Sequence, residues 1–129
     1  MPMAARTLDG DPTILHSDQV EALRQRLRGP VLTEEDDGYE EARGVWNGMI
    51  DRRPAVIVRC AGAADVMDAV RFAGEHRLLL AARGGGHNVA GNAVCEGGLV
   101  VDLSAMNGVR VDPGSRTVRV GGGATWGDV

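Results

Sequence analysis

The feature that most constrains this chain is a run of three glycines directly after a short apolar segment. Residues 78–82 are fully apolar and suit a buried strand, and Arg83 then leads into Gly84, Gly85 and Gly86. Glycine permits backbone angles that other residues avoid and lets a ligand lie against the main chain. Successive N–H groups in such a turn can converge on an anion. The pattern therefore predicts a phosphate-binding loop at the end of a strand.

The segments around this loop indicate the fold class. Residues 55–58 form a β-branched apolar run, and residues 63–76 carry apolar side chains at helical spacing, so with residues 78–82 they predict a parallel βαβ unit. Residues 99–101 predict another strand. Residues 109–111 and 117–120 predict a hairpin, with a turn at Asp112-Pro113-Gly114-Ser115. The expected class is α/β (α+β), with N-terminal helices, a parallel βαβ unit with a glycine-rich loop, and then short antiparallel strands.

The N-terminal part gives weaker signals. Residues 1–15 are interpreted as a loose lead-in. Ser17 and Asp18 are good N-cap residues for a helix that Gly29-Pro30 ends. Thr33 with Asp36 could begin a second helix, although Gly38 weakens it. Residues 39–46 are a better helical stretch, with Tyr39, Ala42, Val45 and Trp46 on one side.

Composition excludes several classes of partner. The formal charge is −4, with 14 basic against 18 acidic side chains, which argues against a protein that binds DNA or anionic membranes through a basic surface. Four aromatic residues offer little for stacking single-stranded nucleic acid. The sequence shows neither a secretory signal nor an apolar run near the roughly 20 residues of a membrane span, so we expect a cytoplasmic protein. Cys60 and Cys95 lack metal-ligand spacing, which predicts two buried thiols and no metal site.

Two common nucleotide loops do not match. Gly86 and Gly91 have the glycine spacing of a Walker A loop, but Asn92-Ala93 follows and the chain has no lysine. The Rossmann fingerprint fails because Val89 stands where the third glycine would follow Gly84 and Gly86. ATP hydrolysis and NAD-type binding are therefore disfavoured.

Two side chains of the loop carry chemistry of their own. Arg83 offers a planar, permanently charged donor for a phosphate. His87 is not needed in a simple phosphate loop. Its imidazole could donate a hydrogen bond or act as a nucleophile, and the residue pattern alone leaves both open. His16 and His76 are interpreted as surface histidines.

Several glycine motifs occur in a fixed order: residues 83–88 (Arg-Gly-Gly-Gly-His-Asn), Gly91, residues 97–104 (Gly-Gly-Leu-Val-Val-Asp-Leu-Ser) and residues 121–126 (Gly-Gly-Gly-Ala-Thr-Trp). In this order they resemble the berberine bridge enzyme-like oxidases of the vanillyl-alcohol-oxidase superfamily, whose FAD-binding domain is of the PCMH type. The resemblance extends over roughly residues 30–129. It includes a lead-in similar to that of bacterial members, at Tyr39, Arg43, Trp46-Asn47 and Arg53-Pro54.

The resemblance implies FAD as the cofactor. The residues that would hold its diphosphate are Arg83, Gly84, Gly85, Gly86, His87 and Asn88, with Gly91 and Asn92 close by. His87 matches the family position that bonds covalently to the 8α-methyl group of the flavin. The implied activity is that of an oxidoreductase that takes a hydride from a small-molecule alcohol, amine or sugar and passes electrons to oxygen, with the redox chemistry supplied by the cofactor.

The resemblance also implies that the family's active site needs more chain. Residues 1–30 correspond to a lead-in and helix, and residues 31–129 to a partial FAD-binding PCMH-type domain. Family members add the rest of that domain, a substrate domain and a catalytic base, so catalytic residues and substrate stay unknown here. Some members carry a second, cysteinyl flavin link, but Cys95 lies in the wrong segment for it.

The end of the printed chain gives a local signal of its own. Residues 125–128 fit a capping box, which predicts a helix that continues past Val129. We therefore expect an FAD-binding fragment of a flavin-dependent oxidoreductase, incomplete as an enzyme on its own. Two alternatives stay open: a non-catalytic phosphate- or nucleotide-binding module, and a non-functional gene fragment.

Overall fold

The computed structural model describes residues 2–88 and 90–129, so Met1 of the expected lead-in and Val89 of the loop lie outside the described residues. The strands are β1 (Pro2–Arg6), β2 (Pro12–His16), β3 (Val31–Leu32), β4 (Val56–Arg59), β5 (Leu80–Arg83), β6 (Leu99–Asp102), β7 (Val109–Asp112) and β8 (Thr117–Val120). The helices are α1 (Ser17–Arg26), α2 (Tyr39–Arg43) and α3 (Ala63–Glu75). None of the helices in the described ranges is long and apolar enough to cross a membrane.

The central sheet has the strand order β3-β4-β6-β5. Strands β4 and β5 both run parallel to β6, which lies between them, and β3 is an antiparallel edge strand on β4. The predicted parallel βαβ unit is thus confirmed as β4-α3-β5. The strand predicted at residues 99–101 is β6, which lies between β4 and β5 in the sheet.

The sheet is buried on both faces because its strands are apolar at consecutive positions. Val56 and Val58 of β4 belong to a core cluster that also contains residues of α1 and α3. Ile57 points the other way, into a second cluster with Tyr39 of α2 and Val100 of β6. The alternation of side chains along a strand explains this division. The result is a layered α/β core whose parallel strands end together at Arg83 and Asp102.

The predicted loose lead-in is wrong. Residues 2–16 form an antiparallel β1–β2 hairpin, in which Ala5 and Leu15 are buried in the core of the domain. The hairpin also joins the main sheet region, because the Arg6 N–H donates to Gly97 O at 2.8 Å. Gly10, with φ at +84°, makes the turn possible. The missed signal was the Asp9-Gly10 dipeptide, a common hairpin turn.

Helix boundaries also differ from expectation. The N-cap of α1 is His16 rather than Ser17 or Asp18, and its N–H donates to Gln19 Oε1. Thr33 and Asp36 form a turn and no helix, with the Thr33 N–H donating to Asp36 Oδ2 at 2.8 Å. The helix predicted over residues 39–46 ends at Arg43, because Gly44 is extended and turns the chain away.

The predicted C-terminal hairpin is confirmed. Strands β7 and β8 pair antiparallel, with Val109 opposite Val120. Asp112 stabilises the turn, since its Oδ1 accepts from the N–H of Gly114 at 3.0 Å. The pairing places Val111 beside Val118 on one face, and both are exposed.

Asp65 ties the end of α1 to the start of α3. Its side chain is 3% exposed and accepts from the N–H groups of Arg28, Gly29 and Ala61 at 2.9–3.0 Å. Burial alone would raise the pKa of this carboxyl, but the three amide donors and the charge of Arg28 outweigh it and hold the pKa below its usual range. The carboxylate is therefore a stabilising element of the folded chain.

We expect Asp65→Ala to lower the free energy of unfolding by about 2 kcal/mol, because three amides lose a charged acceptor. Since the folded pKa lies below the unfolded value, this stabilisation is complete above about pH 5 and is lost as the pH falls through the folded pKa. Urea denaturation of wild type and variant from pH 7 downward measures both effects. Equal unfolding free energies at pH 7, or a difference that persists unchanged in acid, would contradict this role.

Candidate functional site

The glycine loop lies at the carboxyl edge of the parallel sheet. Strand β5 ends at Arg83 and the neighbouring β6 ends at Asp102, and the Leu103 N–H still donates to Arg83 O at 2.8 Å. The paired strands end at this point, so the loop that follows β5 begins beside residues 103–106. In open α/β sheets this edge is where ligands bind.

Glycine is required at several points of the loop. A Cβ on Gly84 would stand 2.6 Å from Gly122 O, closer than real contacts allow. Gly86 and Gly91 have φ values of +74° and +78°, a region that side chains disfavour. A Cβ on Gly91 would also meet Ile50 at 2.8 Å. The loop can therefore keep this path only with glycine at these positions.

The amides of residues 84–88 are not used by the protein itself. Within residues 2–88 and 90–129, none of these five N–H groups donates to a backbone or side-chain acceptor. Gly85, His87 and Asn88 are exposed. The last part of the loop is held internally, because Asn88 O accepts from the Gly91 N–H at 3.0 Å and Asn88 Oδ1 from the Asn92 N–H at 3.3 Å. The arrangement offers a row of free donors suited to an elongated anion.

Arg83 lies under the loop. Its Nη1 donates to Ala42 O at the end of α2, at 2.5 Å. Its Nε is buried and has no partner among the described residues. A Cβ on Gly86 would stand 3.2 Å from that Nε. Arg83 thus supports the loop from below, and its predicted contact with a phosphate stays a prediction.

Residues 46–52, which we term the strap, run along the loop. The sequence predicts part of this segment only as a lead-in. The Trp46 N–H donates to Gly86 O at 2.9 Å. Arg52 Nη1 donates to Gly91 O at 2.7 Å and to Val94 O at 3.1 Å. Together with Ile50 against Gly91, these contacts fix both ends of the loop. No local pattern in the sequence predicts them, because the partners are about 40 residues apart.

His87 is the exposed chemical group of the loop. Its ring centroid lies 5.8 Å from that of Trp46, and the two planes are tilted by 34°. A Cβ on Gly85 would stand 2.9 Å from His87 Cδ2, so the imidazole folds back over that glycine. The side chain is accessible to a ligand that lies on the loop.

The second glycine triplet packs beside the first. The Gly123 N–H donates to Met106 O at 3.1 Å, and Gly122 O approaches Gly84 as described. Asp102 orders the intervening turn, since its Oδ1 accepts from the Ser104 N–H at 2.9 Å and its Oδ2 accepts from Arg59 Nε at 3.2 Å. The two glycine segments, 84–86 and 121–123, therefore form adjoining walls of main chain.

A cavity and two buried cysteines lie outside the glycine loop. A cavity of about 670 Å³ is lined by the β1–β2 hairpin and by residues such as Glu34, Arg53 and Glu96, and none of the described residues in the range 83–92 lines it. Cys60 and Cys95 are free, buried thiols, as predicted. Burial raises the pKa of both to about 11, so they stay protonated at neutral pH.

Comparison with known proteins identifies the family. Residues 54–129 match the family described as FAD binding domain. The chain is 38% identical over 103 residues to (R)-6-hydroxynicotine oxidase of Paenarthrobacter nicotinovorans, covering 80% of this chain and 22% of that enzyme.

Solved structures give the same result. The crystal structure of 6-hydroxy-D-nicotine oxidase from Arthrobacter nicotinovorans matches with a TM-score of 0.76 at 38% identity, over 79% of this chain and 22% of that one. Xylooligosaccharide oxidase from Myceliophthora thermophila matches with a TM-score of 0.74 at 27% identity, over 84% of this chain and 23% of that one.

The expected resemblance is thus confirmed, and the chain spans between a fifth and a quarter of the length of these relatives. FAD is the cofactor of the domain they share. The chain belongs to the family described as FAD binding domain, together with FAD-linked oxidoreductases, and it shares the fold of a berberine bridge enzyme-like protein of Physcomitrella patens.

Proposed function

We propose that this chain is the part of a flavin-dependent oxidoreductase that binds the diphosphate of FAD, on the amides of residues 84–88. The observation that carries the proposal is the row of N–H groups that no described protein acceptor uses. Hydrogen bonds from such groups to an anion are charge-assisted and stronger than neutral ones. Gly91 and Asn92 adjoin the diphosphate at the end of the loop.

The neighbouring residues act by keeping this surface in shape. Gly84 and Gly122 let the two main-chain walls approach each other closely, because a Cβ on Gly84 would stand 2.6 Å from Gly122 O. Arg83 places a permanent positive charge under the loop while bonding Ala42. The strap donates hydrogen bonds to the carbonyl oxygens of Gly86 and Gly91, so these contacts do not occupy the N–H groups of residues 84–88. The loop is thus ordered before the ligand binds, which lowers the entropy cost of binding.

His87 is proposed to attach the cofactor covalently, through a bond between an imidazole nitrogen and the 8α carbon of the flavin. The imidazole loses its N–H hydrogen and the methyl group loses one C–H hydrogen. Both hydrogens and their electrons pass in the end to dioxygen, which becomes hydrogen peroxide. The exposed position of the imidazole over Gly85 supports this role, because the nitrogen must reach a ligand outside the protein core.

When bound in a complete enzyme, the flavin supplies hydride transfer from a small alcohol, amine or sugar, with oxygen as the electron acceptor. The relatives that match act on hydroxynicotine and on xylooligosaccharide, as their names state. The chain covers less than a quarter of those relatives, so substrate choice and the catalytic base belong to the longer protein. The cytoplasmic location stays a prediction.

Affinity measurements with FAD, ADP and inorganic diphosphate test this function. We expect the full 129-residue chain to bind FAD at least about ten-fold more tightly than ADP, because only FAD also contacts the surface around His87. Quenching of flavin fluorescence and calorimetry give the dissociation constants. Equal affinities for the three ligands would instead support a phosphate-binding module, and no binding of FAD would contradict the proposal.

A further inference from the structure

The imidazole of His87 is confined from two sides. On one side it folds over Gly85, where a Cβ would stand 2.9 Å from His87 Cδ2 and 3.7 Å from Nε2. On another side lies the indole of Trp46, with ring centroids 5.8 Å apart. This distance is within the range in which aromatic rings attract one another. An exposed histidine would otherwise sample several rotamers.

Trp46 is held in place by its backbone rather than by burial of its side chain. Its N–H donates to Gly86 O at 2.9 Å, one residue before His87. The strap is further anchored by Arg52, which bonds the carbonyls of Gly91 and Val94. The indole itself is 67% exposed, so it contributes little to the core.

We propose that Trp46 is a positioning residue for His87. Together with the space left by Gly85, its indole restricts the imidazole to one orientation over the loop. This inference rests on the proposed role of His87 in attaching the flavin. A nucleophile held in a reactive orientation attacks faster than a free one, and small displacements cost large factors in rate. Trp46 therefore affects the rate of attachment, while the backbone amides determine the affinity for FAD.

The first test uses the chain without ligand. NMR spectra should show nuclear Overhauser contacts between the indole and imidazole protons, and ring-current shifts of the His87 ring protons. Trp46→Leu should move those protons to the positions of a free histidine, and Trp46→Phe should retain part of the shift. Met49→Leu is the matched control, because Met49 lies on the same strap with a side chain 91% exposed. Unchanged His87 resonances in Trp46→Leu would overturn the proposal.

The second test measures attachment. At saturating FAD in air, Trp46→Leu should slow covalent incorporation about ten-fold or more, and Trp46→Phe should restore most of the rate. In a His87→Ala background, the same Leu substitution should leave the FAD dissociation constant within about two-fold. An equal rate, or a slower rate fully explained by weaker FAD binding, would overturn the proposal.

The two tests separate this inference from the proposed function. If wild-type chain never attaches flavin, the covalent role of His87 fails. In that case the spectra without ligand alone decide whether Trp46 orients the imidazole. A measured unfolding midpoint for each variant confirms that the effect does not come from loss of the fold.

Discussion

Acid denaturation of the His87→Ala chain should release all of its flavin, whereas the wild-type chain, incubated with FAD in air, should keep flavin on the polypeptide. The reason is that, among the described residues of the loop, His87 alone carries a nucleophilic side chain on the surface where we place the cofactor. Mass spectrometry of the intact chain should show one added FAD less two hydrogens, and only in the wild type. The variant should still bind FAD reversibly, because the amide at position 87 remains.

The other two histidines provide matched controls. His16 lies at the start of α1, and His76 packs on Phe72 with ring centroids 4.4 Å apart. Replacing either by alanine should leave the flavin attached. Flavin that is fully extracted from the wild type, or that stays attached in His87→Ala, would contradict the covalent role.

Gly84→Val should weaken FAD binding about a thousand-fold. A Cβ at this position stands 2.6 Å from Gly122 O, so valine must push the two main-chain walls apart or change the path of the loop. Either response misplaces the amides of residues 84–88. The loss of two charge-assisted hydrogen bonds, each about 2 kcal/mol, accounts for that factor.

Gly108→Val is the control for this change. Gly108 is exposed, has no heavy atom within 4 Å of its built Cβ, and has no positive φ. It therefore accepts a side chain without displacing its surroundings, and FAD affinity should stay near that of wild type. Titration by flavin fluorescence compares the two variants. Similar affinities for Gly84→Val and Gly108→Val would show that the close approach to Gly122 does not shape the binding surface.

The central fold is predictable from the sequence because its strands are apolar on both faces. Val56, Ile57 and Val58 are consecutive and fully buried, which leaves little choice but an inner strand. The sequence does not predict the N-terminal hairpin, because polar and apolar residues do not alternate regularly along its second strand. Ile14 is 60% exposed beside the buried Leu15, so apolar residues occur on both faces of β2. Its burial depends on contacts with distant segments, which local patterns do not reveal.

The sequence predicts the site only where backbone groups would bind the ligand. The glycine triplet and the apolar run before it are local signals, and they place the loop at a strand end as the structure shows. The supports of the loop are contacts between distant segments. Arg83 bonds Ala42, and Arg52 bonds Gly91, across about 40 residues in each case. The sequence indicates a charged donor at position 83 but not the carbonyl that one of its nitrogens binds.

The most direct test follows each backbone amide of the isotopically labelled chain by NMR while FAD is added. We expect the largest shifts at the amides of residues 84–88, with smaller changes at residues 121–123 on the adjoining wall. The opposite result would be amides of residues 84–88 that do not move. Shifts concentrated instead around Glu34, Arg53 and Glu96 would place the cofactor in the cavity beside the N-terminal hairpin and contradict binding on the glycine loop.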